Sequence, residues 1–403
     1  MKKHSIKAII IFSILLLGAC QEYENQPYGS DGVPPGIASV TDVVNHPGGA
    51  AIYFTPPTDL DILYVQAIFT DDRGNLREVK ASASVDSLLI EGFGKVGDYN
   101  VDVYAVDRGE NKSESTQIVI SPLEPAINII FPTITGEVDY GGLKVGYENV
   151  LRAEVSINVM IYDSLQDEMV YKESFFTSQP NGFYSFRGFK GVKTLFGVFV
   201  EDRWGNQSDI AYYEIIPIPD DYLDKSLFYV FKMPGDQDFN QYGFNENQMW
   251  DNSWSSQWNC GHTAFTPLPH RLTIDLGVKV KLSRFKLYQR GGSELYKHGN
   301  PEHFKVYGTL DINTIPEYNP ANPNGGWTLL KDCYSFKPSG LPIGQTTAED
   351  HEFQDKGEDF EFDPENLVEV RYIRIENIDT WGDQQVSVIG ELAFWGEISE
   401  NQN

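Results

Sequence analysis

Cysteine is scarce in this chain, with three residues among 403: Cys20, Cys260 and Cys333. So few cysteines exclude a small scaffold held together by several disulfides. Cys260 and His262 flank a glycine, but no second Cys/His pair at zinc spacing exists, so we expect no zinc site. Cys260 and Cys333 can form one disulfide outside the cytoplasm, or they can be two buried thiols, and the sequence leaves both alternatives open.

Basic residues are also few, since 31 Lys and Arg stand against 58 Asp and Glu, for a formal net charge of −27 at pH 7. A phosphate backbone would be repelled by this charge, so we expect no nucleic-acid partner. An acidic body suits a soluble exterior and neutral or cationic partners.

The N-terminal apolar run is too short for a membrane-spanning helix. It extends from Ala8 to Leu17 after three lysines, whereas a spanning helix needs about 20 apolar residues. Leu-Gly-Ala-Cys then ends the run at Cys20, the pattern of a secretory signal with a bacterial lipobox; an uncleaved anchor is the alternative. We predict a signal peptide over 1–19, lipidation of Cys20, and a lipid-anchored linker over 20–33.

Helical apolar periodicity is missing as well, which favours an all-β chain. Alternating segments lie at 50–54, 64–69, 84–90, 99–106 and 116–120, a spacing typical of β-sandwiches. The pattern D-R-x-x-N-x-S occurs twice, from Asp107 and from Asp202, each time after an alternating strand. The repeat predicts two sandwich domains at 34–124 and 125–219, with proline-rich joints. They resemble the fibronectin-III-like or immunoglobulin-like domains of bacterial surface lipoproteins.

The segment from 220 to 403 follows a different pattern. Its motifs, in chain order, are RLTIDLG (271–277), KLSRFKLYQR (281–290), FKVYG (304–308), GWTLL (326–330), VRYIRI (370–375) and GELAFWG (390–396). In this order they resemble a discoidin domain, also called a coagulation factor V/VIII C-type domain, which is a jelly-roll sandwich. The resemblance implies an all-β protein of two Ig or fibronectin-III-like sandwiches followed by a discoidin-like jelly roll.

Motifs for catalysis are lacking. The chain has no G-x-S-x-G elbow and no HExxH helix, and we predict that it is not an enzyme. Residues 92–97 fit G-x-G-x-x-G, but an alternating strand follows where a dinucleotide site needs a helix, so a hairpin turn is predicted there.

The stretch MWDNSWSSQW, residues 249–258, carries three of the seven tryptophans. By the discoidin resemblance it is the loop that wraps a structural cation before the first core strand. The resemblance implies a calcium ion held by Asp251, Ser256 and Glu391, and it places the indole of Trp258 in the core. Asn252 stands where the family usually has glycine. The alternative is that Asp251 and Ser256 only close a turn and that Glu391 is a solvated strand residue.

Carbohydrate-binding relatives of discoidin domains, notably the family 32 modules, bind their ligand on loops at one end of the jelly roll. By that resemblance the predicted ligand-binding residues are Arg290, Tyr296, His298, Trp381, Asn259 and His262. Simpler alternatives stay open at this point: Arg290 pairing with a carboxylate, Trp381 anchoring its loop, and His298 as an ordinary surface residue.

The sequence therefore favours an outer-membrane lipoprotein, exposed at the cell surface of a member of the Bacteroidota, that captures glycan for an importer complex. The alternative function is a structural or protein-interaction subunit of an outer-membrane assembly. Calcium is the one cofactor that the resemblance implies.

Overall fold

The structure is a computed structural model that describes residues 32–382 and 384–399. The predicted signal peptide and Cys20 lie outside the described residues.

Strands dominate the described residues, which confirms the all-β prediction. The strands are β1 Ser39–His46, β2 Gly49–Thr55, β3 Ile62–Thr70, β4 Leu76–Ser82, β5 Ser87–Glu91, β6 Tyr99–Asp107, β7 Thr116–Ile120, β8 Thr135–Asp139, β9 Gly142–Glu148, β10 Val155–Asp163, β11 Glu168–Thr177, β12 Asn181–Phe186, β13 Thr194–Asp202, β14 Ala211–Ile215, β15 Asp221–Tyr222, β16 Tyr229–Val230, β17 Gly261–His262, β18 His270–Tyr288, β19 Pro301–Thr309, β20 Thr328–Tyr334, β21 Glu358–Glu361, β22 Glu369–Thr380, β23 Val388–Ile389 and β24 Glu391–Ile398. The helices are α1 Ala126–Ile130 and α2 Ala348–Lys356, and 3₁₀ turns lie at Phe131–Thr133, Lys225–Leu227, Gln241–Gly243, Glu246–Met249, Gly292–Glu294 and Ile312–Thr314.

The first strands form a sandwich of two antiparallel sheets. One sheet has the order β1-β2-β5 and the other the order β4-β3-β6-β7. Buried apolar side chains from both sheets, such as Ile52, Val65 and Val103, belong to one core cluster. Alternate residues of each strand point inward, which is why the period-two pattern of the sequence located these strands.

The next strands repeat the same sheet sizes, with a four-stranded sheet β11-β10-β13-β14 and a three-stranded sheet β12-β9-β8. The chain divides into two compact units. One comprises residues up to Thr135 with Gly146–Phe183 and Gly197–Tyr212, and the other comprises Gly136–Val145, Tyr184–Phe196 and the residues from Tyr213 onward. This division passes through the second predicted domain, so the boundaries 34–124, 125–219 and 220–403 stay a prediction.

The two D-R-x-x-N-x-S copies form the same turn. Asp107 accepts hydrogen bonds from the backbone of Gly109 and Asn111 and from the amide of Asn111, at 2.7 to 2.9 Å. Asp202 accepts the corresponding three bonds from Trp204 and Asn206, at 2.8 to 2.9 Å. An aspartate that bonds the backbone two and four residues onward closes a tight turn, so the repeat is a structural device.

Strand β18 organises the C-terminal sheets. Its first part, through Asp275, pairs with β22, and its second part, from Val280, pairs with β24 and β21. Gly277 lies at the change of partner with φ +74°, and a Cβ there would lie 2.7 Å from the Cβ of Leu227. The main core, which contains Phe285, Phe304 and Phe394, lies beside this strand.

Residues 92–97 connect β5 with β6, and Gly92 has φ +100°. The predicted hairpin is wrong, because β5 and β6 lie in different sheets and the segment is a loop that passes from one sheet to the other.

Candidate functional site

Several loops of the C-terminal sheets lie close together in space near the end of strand β18. They bring together a group of side chains that we call the aromatic cluster: Tyr242, Phe244, Trp258, His262, Phe265, Arg290 and His298. Arg290 follows the end of β18, His262 is on β17, and His298 is in the loop between β18 and β19.

Buried polar groups and one glycine hold these loops together. The side-chain oxygen of Asn300 accepts from the backbone N–H of Arg290 at 2.6 Å, and its amide donates to the carbonyls of Glu294 and Lys297 at 2.8 and 3.0 Å. The tryptophan loop crosses close to Gly291, where a Cβ would lie 2.9 Å from the carbonyl oxygen of Ser255. A larger residue at Gly291 would therefore push the tryptophan loop away from Arg290.

Non-glycine residues in the left-handed region concentrate here. Tyr242, Asn252, Tyr296 and His298 have φ between 52° and 66°. Such a conformation costs about 1 kcal/mol or more per residue and persists where the surroundings enforce it, commonly at binding sites. The backbone conformation of these loops is thus typical of a binding site, whatever the chemistry of their side chains.

Arg290 lies beneath two aromatic rings. Its side chain is 5% exposed, and the guanidinium carbon is 5.3 Å from the ring centre of Phe244 and 5.9 Å from that of Trp258. Its Nε donates to the carbonyl of Gln257 at 2.6 Å. Among the described residues no carboxylate forms an ion pair with Arg290, so the structure does not show the carboxylate pairing that the sequence left open. A guanidinium beside aromatic faces is held by cation–π attraction.

His262 is buried and stacks on Phe244, with ring centres 5.1 Å apart and planes 10° from parallel. Its Nδ1 lies 2.7 Å from the carbonyl oxygen of Thr263. Because a carbonyl only accepts, Nδ1 carries the proton in the neutral ring and Nε2 is left as an acceptor. Burial, together with the nearby charge of Arg290, lowers the pKa of His262, which keeps the ring neutral near pH 7.

Three large rings of the cluster face solvent. Trp258 is 68% exposed, Tyr242 is 66% exposed and Phe265 is 54% exposed. Tyr242 lies edge-on to His262 at 5.3 Å, and Phe265 lies 6.2 Å from the ring of His298. Neighbouring exposed rings of this size above buried polar groups are typical of a recognition surface.

The structure corrects the sequence interpretation of the tryptophan loop. Trp258, predicted to lie in the core, is exposed at the site, and Trp250, 6% exposed, packs against Phe228 in the main core. Trp254 packs against Tyr288 at 4.3 Å, and its indole donates to the carbonyl of Asp355. The polar neighbours of Trp258 were the one sequence signal of its exposure, whereas Tyr242, Phe244 and Phe265 lie in no motif.

Of the six predicted ligand residues, Arg290, His262 and His298 lie in the cluster and the other three lie outside it. Tyr296 is 1% exposed. Its ring meets that of Trp381 edge-on at 5.4 Å, and the backbone N–H of Trp381 donates to the carbonyl of Asn300. The pair supports the His298 loop, and Trp381 is a loop anchor in this structure.

Asn259 is engaged within the tryptophan loop. Its amide donates to Asp251 and to the carbonyl of Ser253, while its oxygen accepts from Gln248 at 2.8 Å. Both ends of this amide therefore form hydrogen bonds within the fold.

The residues that the resemblance assigns to calcium bond other groups of the fold in this structure. Glu391 is buried and contacts the ammonium of Lys225. Asp251 accepts from the backbone of Ser253 and from the amide of Asn259, and the hydroxyl of Ser256 accepts from the backbone N–H of Trp258. Within the described residues no group of three or more His, Cys, Asp or Glu side chains is placed to hold a metal ion.

Cys260 and Cys333 are free and buried, so of the two alternatives that the sequence left open, the structure shows two thiols. Cys260 packs with Val386 and Val388, whereas Cys333 belongs to the main core. Burial raises the pKa of Cys260 to about 12, which keeps the thiol protonated and unreactive at neutral pH.

Fold and site together define an all-β sandwich protein with an aromatic recognition surface on its C-terminal loops. Three stretches match families described as domains of unknown function: DUF4959 over residues 35–122, DUF5126 over 123–226 and DUF5000 over 250–396. Among curated proteins, none matches the chain.

Several solved structures are similar to this chain. One is a SusE-like protein, at 28% identity over 68% of this chain and 100% of that chain, with a TM-score of 0.43. Another is the module CBM32-3 of a family 31 glycoside hydrolase from Clostridium perfringens, at 19% identity over 44% of this chain and 95% of that one, with a TM-score of 0.31. A third is the C-terminal domain of a chitobiase from Bacteroides fragilis, at 16% identity over 45% of this chain and 100% of that one, with a TM-score of 0.32.

Across the described part of the chain, none of the helices has both the length and the apolar character that crossing a bilayer requires.

Proposed function

We propose that this protein binds oligosaccharide or polysaccharide through the aromatic cluster, without catalysing a reaction on it. The observation that carries the proposal is the exposed indole of Trp258 beside the guanidinium of Arg290, which has no carboxylate partner among the described residues.

Five members of the cluster have a physical role toward a sugar. The apolar C–H face of a pyranose ring stacks on the indole of Trp258, as on any exposed aromatic face. Terminal N–H groups of Arg290 donate to hydroxyl oxygens, and the neutral Nε2 of His262 accepts from a hydroxyl. Tyr242 and Phe265 border the site and extend the apolar surface for a second sugar unit.

The proposal includes the placement predicted from the sequence. Lipidation of Cys20 would anchor the chain to the outer membrane at the cell surface, and the N-terminal sandwiches would hold the sugar site away from the lipid. There the protein would capture glycan for an adjacent importer complex. A shallow site of this kind binds with a dissociation constant of about 0.1 to 1 mM, which permits release to the importer.

Glycan titration of the full chain tests the binding proposal. Isothermal titration or affinity electrophoresis against a panel of plant, host and microbial glycans is expected to identify at least one ligand. Trp258→Ala should then weaken binding about fivefold or more, because stacking contributes at least about 1 kcal/mol. Since Trp258 is exposed, the thermal unfolding of the variant should match that of the unmodified chain.

Phe176→Ala is the matched control, because Phe176 is another exposed aromatic residue and lies on β11, which is not part of the C-terminal sheets. Its glycan binding should not change. Absence of binding to every glycan, with Trp258-dependent co-purification of outer-membrane proteins, would contradict the proposal and favour the protein-interaction function.

A further inference from the structure

An unusual buried lysine lies beneath the tryptophan loop. Lys225 begins the 3₁₀ turn Lys225–Leu227, and its whole side chain is buried. Its ammonium contacts a carboxylate oxygen of Glu391 and lies 3.0 Å from the side-chain oxygen of Asn252. A fully buried lysine is rare and requires a partner of opposite charge.

The carboxylate of Glu391 joins two parts of the fold. Glu391 begins β24 and is paired in register with Tyr288 near the end of β18. The same oxygen that contacts Lys225 accepts from the backbone N–H of Asn252 at 3.0 Å. Asn252 lies in the tryptophan loop with φ +66°, a left-handed conformation that asparagine tolerates. Lys225, Asn252 and Glu391 thus connect the 3₁₀ turn, the tryptophan loop and the central strands.

We propose that the ammonium of Lys225 is an internal cation that takes the place of a bound metal ion and holds the tryptophan loop on the sheet. The first argument is charge. Glu391 has no cationic partner other than Lys225 among the described residues, and its second carboxylate oxygen has no hydrogen-bond partner there. Without Lys225, a negative charge would be buried uncompensated, which is strongly unfavourable.

The second argument is that the ammonium of Lys225 excludes a metal ion from this site. A divalent ion bound to Glu391 would lie within a few ångströms of the ammonium, and two like charges at that distance in a buried site repel strongly. The groups that would complete a calcium shell are already used, since Asp251 and Ser256 bond atoms of their own loop. The chain therefore folds in this region without a metal ion, and this inference does not depend on the identity of the ligand.

Thermal unfolding of the full chain tests the inference. The melting temperature of the unmodified chain is expected to be the same in EDTA and in millimolar calcium. Lys225→Met, which keeps much of the side-chain volume without the charge, should lower the melting temperature by several degrees. The double variant Lys225→Met/Glu391→Gln should recover much of that loss, because glutamine removes the unpaired charge and still accepts from Asn252.

Lys281→Met is the matched control, since Lys281 forms an exposed pair with Glu397 and its loss should leave the melting temperature nearly unchanged. A lower melting temperature of the unmodified chain in EDTA, or a higher one in calcium, would overturn the inference. So would a Lys225→Met variant as stable as the control. If Lys225→Met does not fold, the response of the unmodified chain to EDTA and calcium and the recovery in the double variant still decide the question.

Discussion

At the scale of single residues, the site depends on which of several similar side chains faces water. Trp250, Trp254 and Trp258 are spaced four residues apart, yet one is in the core, one is half-buried and one is exposed. The sequence could not assign these positions, because the segment is a 3₁₀ turn and an irregular loop, where no period relates position to burial.

Arg290 and the two histidines were predicted because they lie in or beside recognisable motifs. Arg290 ends the motif that forms the second part of β18, so its position at the end of a strand followed from the strand itself. Tyr242 and Phe265 belong to loops whose course is set by distant contacts, and local sequence carries no signal for such contacts.

A second residue-scale feature is the buried carboxyl of Glu358 at the start of β21. It accepts from the hydroxyl of Ser335 at 2.5 Å and from the backbone N–H of Phe336 at 2.6 Å. Burial raises the pKa of Glu358 to about 7, against an ordinary value of 4.5, although both hydrogen bonds act in the opposite direction. The folded chain therefore holds this proton more tightly than the unfolded chain does.

This pKa predicts a pH dependence of stability. The contribution of Glu358 is fully present below pH 4.5 and is lost as the pH rises through about 7, because the folded carboxyl must then ionise in a buried site. Glu358→Gln should remove this part of the pH dependence, so that the variant loses less stability than the unmodified chain between about pH 5 and pH 8. Urea unfolding at several pH values measures the free energy of unfolding of both proteins. If the two free energies change in parallel with pH, the prediction is contradicted.

At the scale of elements, contacts between strands explain two of the C-terminal motifs. Asp275, from the motif RLTIDLG, is buried and accepts from Arg371 at 2.9 and 3.0 Å, from the hydroxyl of Tyr229 at 2.7 Å and from the backbone N–H of Gly277 at 2.7 Å. Arg371 belongs to the motif VRYIRI on β22. Burial alone would raise the pKa of Asp275, but these hydrogen bonds lower it below its usual value. The two motifs therefore form one ion pair across adjacent strands, in which the carboxylate is buried and the guanidinium is partly exposed.

Asp275→Asn should destabilise the C-terminal sheets. We expect a loss of about 2 kcal/mol in the free energy of unfolding, less than the roughly 3 to 5 kcal/mol of a fully buried pair, because Arg371 is partly exposed to water. Chemical denaturation measures the loss. Glu397→Gln, at an exposed ion pair, is the control and should change stability by less than about 0.5 kcal/mol. A variant at Asp275 as stable as this control would show that the pair does not link the strands.

The strands themselves were largely predictable, since β2, β3, β6 and β7 overlap the alternating segments of the sequence. Helix α2 was not predicted, because it lacks an apolar face. The sequence feature that could have located this helix is the capping box at its start, where the side chains of Thr347 and Asp350 accept hydrogen bonds from each other's backbone N–H groups. Strand β4 was also missed, because its side chains are largely exposed and its sequence is mostly polar.

At the scale of the whole molecule, the account assigns different tasks to different segments. The N-terminal sandwiches repeat one turn design in which an aspartate fixes each hairpin, and they contribute no residue to the aromatic cluster. The C-terminal sheets carry the loops of the aromatic cluster, which is the proposed binding surface, and the ion pair of Lys225 and Glu391 contacts the loop that carries Trp258. If Cys20 is lipidated as proposed, this arrangement would allow the protein to capture glycan at a membrane surface.

A crystal structure of the chain with an oligosaccharide ligand from the glycan panel tests the central claim most directly. The account predicts a sugar ring parallel to the indole of Trp258, with hydroxyl groups within hydrogen-bonding distance of the guanidinium of Arg290 and of Nε2 of His262. A sugar bound elsewhere on the chain, with the indole of Trp258 still facing solvent, would contradict it.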